Sequence, residues 1–396
     1  MNLKKEAQAL NDYAQALRRE LHSHPELDHD LPLTEGVIVR ELEKLGLDEL
    51  KSGQGKGHGV WATLRGDRPG KVLALRADMD ALPVREETGL PYAATNGCMH
   101  ACGHDAHVAM LLAAARLLAG ARAELAGTVR FIFQPAEETT DGALSMIQAG
   151  ALENPSVDAI IGIHTGSIWD GLRPGQIGWK SGPMMAATTT VLAELRGKGG
   201  HGATPHLTVD PIVMAAEVLS QLQTLVSRET SPFEPAVVTF GKIEGGRQHN
   251  IIADSCRLSG TMRTFSHETN SFLQERLRAT VEGVAASMRG HGTVEYVGQT
   301  PALLNDPALS FRMRDILTSV LGPDSVQELS LPSTGGEDFA EYLQKVPGAF
   351  FYHCSTFGDE RDQPHHNSRF DVNESVLWTG VAALAAFALH WQEVSQ

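Results

Sequence analysis

Short apolar runs alternate along this chain with segments of helical spacing, and this alternation most constrains the fold. Four runs are predicted as strands: Val60–Leu64, Lys71–Arg76, Thr128–Phe133 and Ala159–His164. Helical spacing occurs near Leu3–Leu21 and at His107–Ala119 and Ala143–Gly150. Buried strands separated by helices are typical of an α/β layer. The pattern therefore predicts a mostly parallel sheet covered by helices.

The pattern changes after Gly182-Pro183. Up to residue 298 the predicted segments follow the order β-α-β-β-α-β: Thr188–Leu195, Pro211–Val226, Ala236–Ile243, Ser255–Phe265, Ser271–Met288 and Thr293–Val297. That order is typical of a ferredoxin-like unit. A strand at Ala349–His353 then resumes the first pattern. We predict an α/β domain made of residues 1–183 and 299–396, interrupted by a smaller α+β domain at 184–298.

Composition limits the partners and the compartment. The formal net charge of −15 argues against a nucleic acid or an anionic membrane as partner. The longest apolar run, near Val108–Leu118, is too short to span a membrane, and the first residues lack the apolar stretch of a signal peptide. The four cysteines are scattered, so we expect reduced thiols and a cytoplasmic protein.

The segment from His100 to His107 concentrates groups that bind metals. Cys102 and His104 are separated by one glycine, a spacing that lets a loop fold around one ion. Thiolate and imidazole are common donors for zinc and similar divalent metals. Spacing alone leaves an alternative open, in which Asp105 caps the next helix and Cys102 is buried as a small apolar residue.

Two adjacent acids follow a predicted buried strand. Thr128–Phe133 runs into Glu137 and Glu138, at the end of the strand where α/β enzymes place their ligands. One carboxylate can bind a metal while its neighbour acts as general base toward water. Alternatively, both acids begin the next helix, where negative charge is favourable.

Histidines supply two further groups of the same kind. The strand Ala159–Ile163 ends in His164, and His365-His366-Asn367 lies near the end of the chain. A single histidine at a strand end is usually structural. Together with the cysteine–histidine loop and the acid pair, these residues predict one composite metal site.

Four motifs resemble the aminoacylase and carboxypeptidase family of di-metal peptidases. They are Leu75–Pro83, Met99–Asp105, Phe133–Glu138 and Gly335–Phe339. The order of the motifs is most similar to that of hippurate hydrolases and plant indole-acetyl-amino-acid hydrolases. The resemblance covers nearly the whole chain and implies a zinc-peptidase-like catalytic domain with an inserted dimerisation, or lid, domain.

The resemblance also implies roles for individual residues. Five of them become ligands of two divalent ions per subunit (zinc, manganese, cobalt or nickel): Cys102, His104, Glu138, His164 and His366. Glu137 becomes the general base, and Cys102 a thiolate that bridges the ions. Asp78 and Asp80 are expected beside the ions, where they orient the ligands.

Further roles fall in and near the inserted domain. His201, in the loop from Gly199 to His206, is predicted to stabilise the oxyanion, with His206 as competitor; a glycine-rich solvent loop is the alternative. Substrate-binding groups implied by the resemblance are Asn250, Arg263, Gly335 and Gly336. A homodimer or a higher homo-oligomer is expected.

The predicted function is metal-dependent hydrolysis of the amide bond of N-acyl amino acids, a class of small-molecule substrate. A dipeptidase or carboxypeptidase on the same centre is the nearer alternative, and a non-catalytic metal-binding protein the more distant one. Retention of Glu137 argues against the second, because a binding protein needs no base beside the metal. A serine hydrolase lacks support, since the chain has no Gly-x-Ser-x-Gly motif.

Overall fold

The computed structural model describes residues 1–392, and these divide into two compact units. The first unit comprises Met1–Met184, Leu304–Ser333 and the chain from Asp338 onward. The second comprises Met185–Leu303 and Thr334–Glu337. A short segment of the C-terminal part, Thr334–Glu337, thus belongs to the second unit.

The first unit is an α/β layer, as predicted. Its helices are α1 (Leu3–Ala9), α2 (Asn11–His22), α3 (Pro32–Glu43), α4 (His104–Gly120), α5 (Gly142–Gln148), α8 (Pro307–Leu321), α9 (Ala340–Leu343) and α10 (Leu377–His390). Its main sheet contains β1 (Glu49–Gln54), β2 (Gly59–Arg65), β3 (Arg68–Asp78), β4 (Ala126–Gln134), β5 (Ala159–Gly166), β6 (Ile177–Trp179), β15 (Val326–Glu328) and β16 (Gly348–Cys354).

The strand order in this sheet is β1-β2-β4-β3-β5-β16-β6-β15. The central strands β4, β3, β5 and β16 are parallel, but β1 with β2, β2 with β4, and β6 with β16 are antiparallel. The sheet is therefore mixed, and the prediction of a mostly parallel sheet holds for its centre. On one side of the sheet, β1 and β2 form a hairpin, which is antiparallel because it needs only a short turn.

Two alanine-rich helices, α4 and α10, pack against each other in the core of this unit. Almost every residue of α10 is buried, and Gly380 approaches Met110 of α4 so closely that a Cβ at 380 would lie 2.2 Å from the Met110 Sδ. Small side chains permit this close approach. Among the described residues, no helix is both long and apolar enough to cross a membrane.

The N-terminal segment corrects one prediction. The single helix expected near Leu3–Leu21 is two helices, α1 and α2, which meet at Leu10. The next side chain, Asn11, donates to the Glu374 carbonyl (3.3 Å) and accepts from the Trp378 amide (2.9 Å). Because these partners are distant in sequence, helical spacing could not reveal the break.

The second unit contains the predicted β-α-β-β-α-β succession. Its elements in that order are β8 (Ala187–Arg196), α6 (Pro211–Thr224), β10 (Ala236–Gly245), β12 (Ser255–Thr264), α7 (His267–Ser287) and β13 (His291–Thr300). The sheet order is β10-β12-β8-β13, and all neighbours are antiparallel. Short strands β9 (Gly200–His201) and β11 (Ile251–Ile252) pair beside it, while β7 (Gly182–Met185) and β14 (Leu303–Asn305) pair at the boundary of the units.

Candidate metal centre

Three parallel strands deliver polar residues to one edge of the main sheet. Strand β3 ends at Asp78, which is opposite Gln134 at the end of β4, and His164 lies near the end of β5. Carboxyl ends of adjacent parallel strands meet at the same edge, which is where open α/β sheets bind ligands. The predicted groups on these strands therefore share one location.

A glycine turn brings Cys102 and His104 to this edge. Gly103 caps α4 with φ +86°, a left-handed conformation, and a Cβ there would lie 3.1 Å from Thr165 Cγ2. Helix α4 then starts at His104, while the Cys102 sulfur lies 3.5 Å from His164 Nε2. The alternative with Asp105 as cap is wrong: this carboxylate lies inside the first turn of α4 and pairs with buried Arg18 at 2.7 Å.

The acid pair lies in a loop, because α5 begins only at Gly142. This excludes the alternative in which the acids start a helix. Ala136 before them has φ +55°, an unfavourable conformation for alanine that turns the chain at the strand end. The two acids then make different contacts: Glu137 Oε1 accepts from the Asp338 amide (3.4 Å), whereas the Glu138 amide donates to Asp80 Oδ2 (3.1 Å).

The five residues assigned as ligands lie in two overlapping groups. Cys102, His104 and His164 form one group, and Cys102, Glu138 and His366 form the other; within each, the donor atoms lie within 4.8 Å of one another. Donors that bind one ion at about 2.0–2.3 Å are at most about 4.6 Å apart, so the groups are close to the required size. Cys102 belongs to both, as a bridging thiolate would.

The histidine tautomers point the correct nitrogens at this space. His104 Nδ1 donates to the Asp80 carbonyl (2.9 Å), and His164 Nδ1 donates to the Thr165 carbonyl (2.8 Å). In its neutral form, each ring therefore carries its lone pair on Nε2, the nitrogen that faces the site. A backbone carbonyl on the far nitrogen is the usual arrangement for a metal-binding histidine.

Electrostatics favours cations at this position. Burial, together with Glu138, Glu137 and Asp78, raises the pKa of the Cys102 thiol well above its ordinary value. Although burial opposes the charged ring, Asp78, Asp80 and Glu138 raise the pKa of His104 to about 10. In addition, His104 Nε2 and Glu138 Oε1 are buried without a hydrogen-bond partner. These unpaired donors and the surplus negative charge fit a pair of divalent ions.

Asp78, His104 and His107 form a third compact group of donor atoms, but Asp78 and His107 already have other partners. Asp78 pairs with Arg76 Nη1 (2.8 Å) and accepts a short hydrogen bond from His107 Nδ1. His107 Nε2 accepts from the Thr165 amide (2.8 Å). Asp78 and His107 therefore support the ligands rather than binding an ion.

The partners of Asp78 were not predicted from the sequence. Arg76 Nη2 also binds Asp338 (2.9 Å), and Gln134 lies between them, accepting from Arg76 Nε (2.9 Å) and donating to Asp338 (2.8 Å). One signal was available: an arginine near the end of an otherwise apolar, doubly covered strand needs buried partners.

The predicted residues of the second unit occupy opposite ends of its sheet. His201 is exposed on β9, which follows β8 beyond its Arg196 end. Asn250 lies at the same end, because its carbonyl accepts a hydrogen bond from the amide of Gly202, next to His201 (2.8 Å). Arg263 pairs with Thr188 at the other end, where a Cβ at Gly336 would lie 2.2 Å from Thr188 Cγ2. Eight strand residues, about 26 Å, separate the two ends.

An α/β unit that gathers thiol, imidazole and carboxylate donors beside a buried glutamate has the features of a metal-dependent hydrolase. Residues 74–390 match the model of peptidase family M20/M25/M40. The chain belongs to this family. The predicted family resemblance and the predicted class of enzyme, a hydrolase of amide bonds, are thereby confirmed.

Individual relatives are similar along nearly the whole chain. An N-acetyl-L-cysteine deacetylase of Bacillus subtilis is 39% identical, covering 91% of this chain and 84% of the relative. The IAA-amino acid hydrolase ILR1-like 4 of Arabidopsis thaliana is 36% identical, covering 96% and 86%. A crystal structure from Bacillus subtilis, described as a dinuclear metal binding peptidase from the M20 family, is 35% identical, with a TM-score of 0.84 over 98% of this chain and 99% of that chain.

The shared position of Cys102 generates a prediction. Cys102→Ala should remove bound divalent metal and amidase activity together, because both donor groups lose the same sulfur. Metal content per subunit, measured by mass spectrometry on the purified variant, checks this. Cys98→Ala is the matched control, since Cys98 lies four residues away and belongs to none of the donor groups among residues 1–392. Full metal content in Cys102→Ala would contradict the assignment.

Proposed function

We propose that this enzyme hydrolyses the amide bond of N-acyl amino acids with two divalent ions and Glu137 as general base. The observation that carries the proposal is the pair of donor groups that share Cys102. Next to them, Glu137 and Glu138 make different hydrogen bonds, although Glu138 also belongs to one of the groups. Thiolate and imidazole donors are compatible with zinc, manganese, cobalt or nickel.

When bound, the two ions would polarise the amide carbonyl and lower the pKa of bound water to about 7. Glu137 is suited to handle the proton. Its Oε1 is held by the Asp338 amide, while its Oε2 lies 3.9 Å from His104 Nε2, at the donor atoms. From there the carboxylate takes a proton from the attacking water and returns it to the leaving amine.

Glu138 is suited to the other role. Its Oε1 is buried without a hydrogen bond and lies 3.5 Å from His366 Nε2. Although burial opposes the charged form, His366 and His104 hold the pKa of Glu138 below its ordinary value. A buried anionic oxygen without a donor is a better metal ligand than a proton carrier.

The relatives support the substrate class. A deacetylase of N-acetyl-L-cysteine and a hydrolase of IAA-amino acids, both at least 36% identical to this chain, each bear the name of an acylated amino acid. Their acyl groups differ, so the shared chemistry is the amide between an acyl group and an amino acid.

The second unit supports a role for a second copy of the chain. About 26 Å of strand β8 lies between the end near His201 and Asn250 and the end beside Arg263 and Gly336, more than one acyl amino acid can span. This separation supports the proposal that His201 completes the site of another subunit. Strand β10 is an edge strand with Val237 42% and Ile243 53% exposed, and it could pair with its counterpart in a homodimer.

A substrate screen tests the proposed reaction. The metal-loaded enzyme should release amine from N-acetyl, benzoyl or indole-acetyl amino acids, and a fluorogenic amine reagent measures this release. Dipeptides with a free α-amino group serve as the comparison. Faster cleavage of the dipeptides would favour the dipeptidase or carboxypeptidase alternative.

The two glutamates should fail differently when replaced. Glu137→Gln should retain metal and substrate binding but lose kcat by about 10²–10⁴, the contribution of an acid–base group. Glu138→Ala should lose metal affinity first. Metal content and steady-state kinetics distinguish the two, and exchanged phenotypes would mean that base and ligand are reversed.

His201→Ala should lower kcat by about 10²–10³ at unchanged metal content, because a donor to the oxyanion is lost. His206→Ala is the control and should lose less. If His201 acts across a dimer, mixing inactive His201→Ala with inactive Glu137→Gln should restore up to about a quarter of wild-type activity through mixed dimers. A fully active monomer, or normal turnover of His201→Ala, would refute the role.

A further inference from the structure

The Cys102 sulfur has two histidine neighbours at the same distance. His164 Nε2 and His365 Nδ1 each lie 3.5 Å from Cys102 Sγ. His164 was assigned as a ligand, whereas His365 has no role in the proposed reaction. The hydrogen bonds on the far side of each ring show that the two histidines are not equivalent.

The two rings direct different groups at the sulfur, one a nitrogen lone pair and the other an N–H. The Thr165 carbonyl accepts from His164 Nδ1, so the nitrogen of His164 near the sulfur carries a lone pair. In contrast, the Ser167 amide donates to His365 Nε2 at 3.1 Å. That nitrogen must carry the lone pair of the ring, so the hydrogen of the neutral imidazole is on Nδ1 and faces Cys102.

The orientation of the His365 ring is constrained on several sides. Phe370 packs on it with ring centroids 4.7 Å apart. Gly166, with φ +129°, lacks a side chain where the ring lies, and a Cβ there would be 2.1 Å from His365 Nε2. The following residue, His366, donates its amide to the Ala101 carbonyl (2.8 Å), which ties this loop to the loop of Cys102. A flip of the ring would break the Ser167 contact.

We propose that His365 is a positioning residue that donates its Nδ1–H to the Cys102 thiolate in the metal-loaded enzyme. The inference rests on the metal centre proposed above. A thiolate shared by two cations keeps one sulfur lone pair, and an N–H directed at it stabilises the negative charge and fixes the direction of the two that bind the ions. The two adjacent histidines thus have different roles. His366 offers a nitrogen as metal ligand, and His365 donates a hydrogen bond to the ligand Cys102.

Amide side chains can separate the two functions of the ring. The amide nitrogen of asparagine reaches roughly the position of histidine Nδ1, so His365→Asn can still donate to the sulfur. The amide oxygen of glutamine reaches roughly the position of Nε2, so His365→Gln can still accept from Ser167 but places no donor beside Cys102. His365→Ala loses both contacts.

The test uses the Co(II)-loaded enzyme and its thiolate-to-cobalt charge-transfer band. A hydrogen bond lowers the energy of the sulfur lone-pair electrons, so its loss makes electron transfer from sulfur to cobalt easier. The band should therefore shift to longer wavelength in His365→Gln and His365→Ala and stay near the wild-type position in His365→Asn. Co(II) affinity, measured by competition with a chelator, should weaken about 10–100-fold in the first two variants. Circular dichroism confirms that each variant is folded.

The outcomes separate this inference from the metal centre itself. The band should vanish in Cys102→Ser, which assigns it to this sulfur. A band that is identical in wild type, Gln and Ala variants would overturn the hydrogen bond while leaving the metal centre intact. A band displaced equally in the Asn and Ala variants would do the same. No thiolate band in the wild type would overturn the centre and this inference with it.

Discussion

The site depends on the buried guanidinium of Arg76. It binds Asp78 at 2.8 Å and Asp338 at 2.9 Å, and all three side chains are almost fully buried. An isolated charge in such a place would cost several kcal/mol, whereas a paired and fully hydrogen-bonded one is tolerated. Removing either carboxylate would take one of these two ion pairs from the buried guanidinium.

The segments that carry the site are connected through these two carboxylates. Asp78 binds His107, whose far nitrogen accepts from the Thr165 amide next to His164. Asp338 accepts from the Ala143 amide at the start of α5, and its own amide donates to Glu137. The positions of the proposed base, Glu137, and of a proposed ligand, His164, thus both depend on the guanidinium of Arg76.

Charge explains why the chain needs ions as well as Arg76. Burial opposes ionisation of Asp78, but Arg76, His104 and His107 hold its pKa well below the ordinary value, so it stays anionic. Glu137 and Glu138 add further negative charge near Cys102. Burial and these acids raise the pKa of the Cys102 thiol. A divalent ion reverses that effect, because it favours the thiolate that the bare site disfavours.

Local pattern determined a large part of this protein. Apolar strands and helical spacing predicted the α/β layer, and the succession of elements at 184–298 matched the sheet that the second unit forms, because both depend on residues close in sequence. Cys102, His164 and the adjacent Glu137 and Glu138 were recognisable as candidate donors, since they lie near the end of a predicted strand or the start of a helix, but only the family resemblance assigned Glu138 as the ligand.

Only the tertiary structure decided how these groups are arranged. The break at Leu10, the antiparallel outer strands and the Arg76–Gln134–Asp338 network depend on partners far away in sequence. The different roles of His365 and His366, two adjacent residues of the same type, also depend on distant partners. The Ser167 amide places the hydrogen of His365 on the nitrogen that faces the sulfur, while His366 faces Glu138. Sequence determined which chemical groups are present, and hydrogen bonds between distant segments decided which atom of each faces the site.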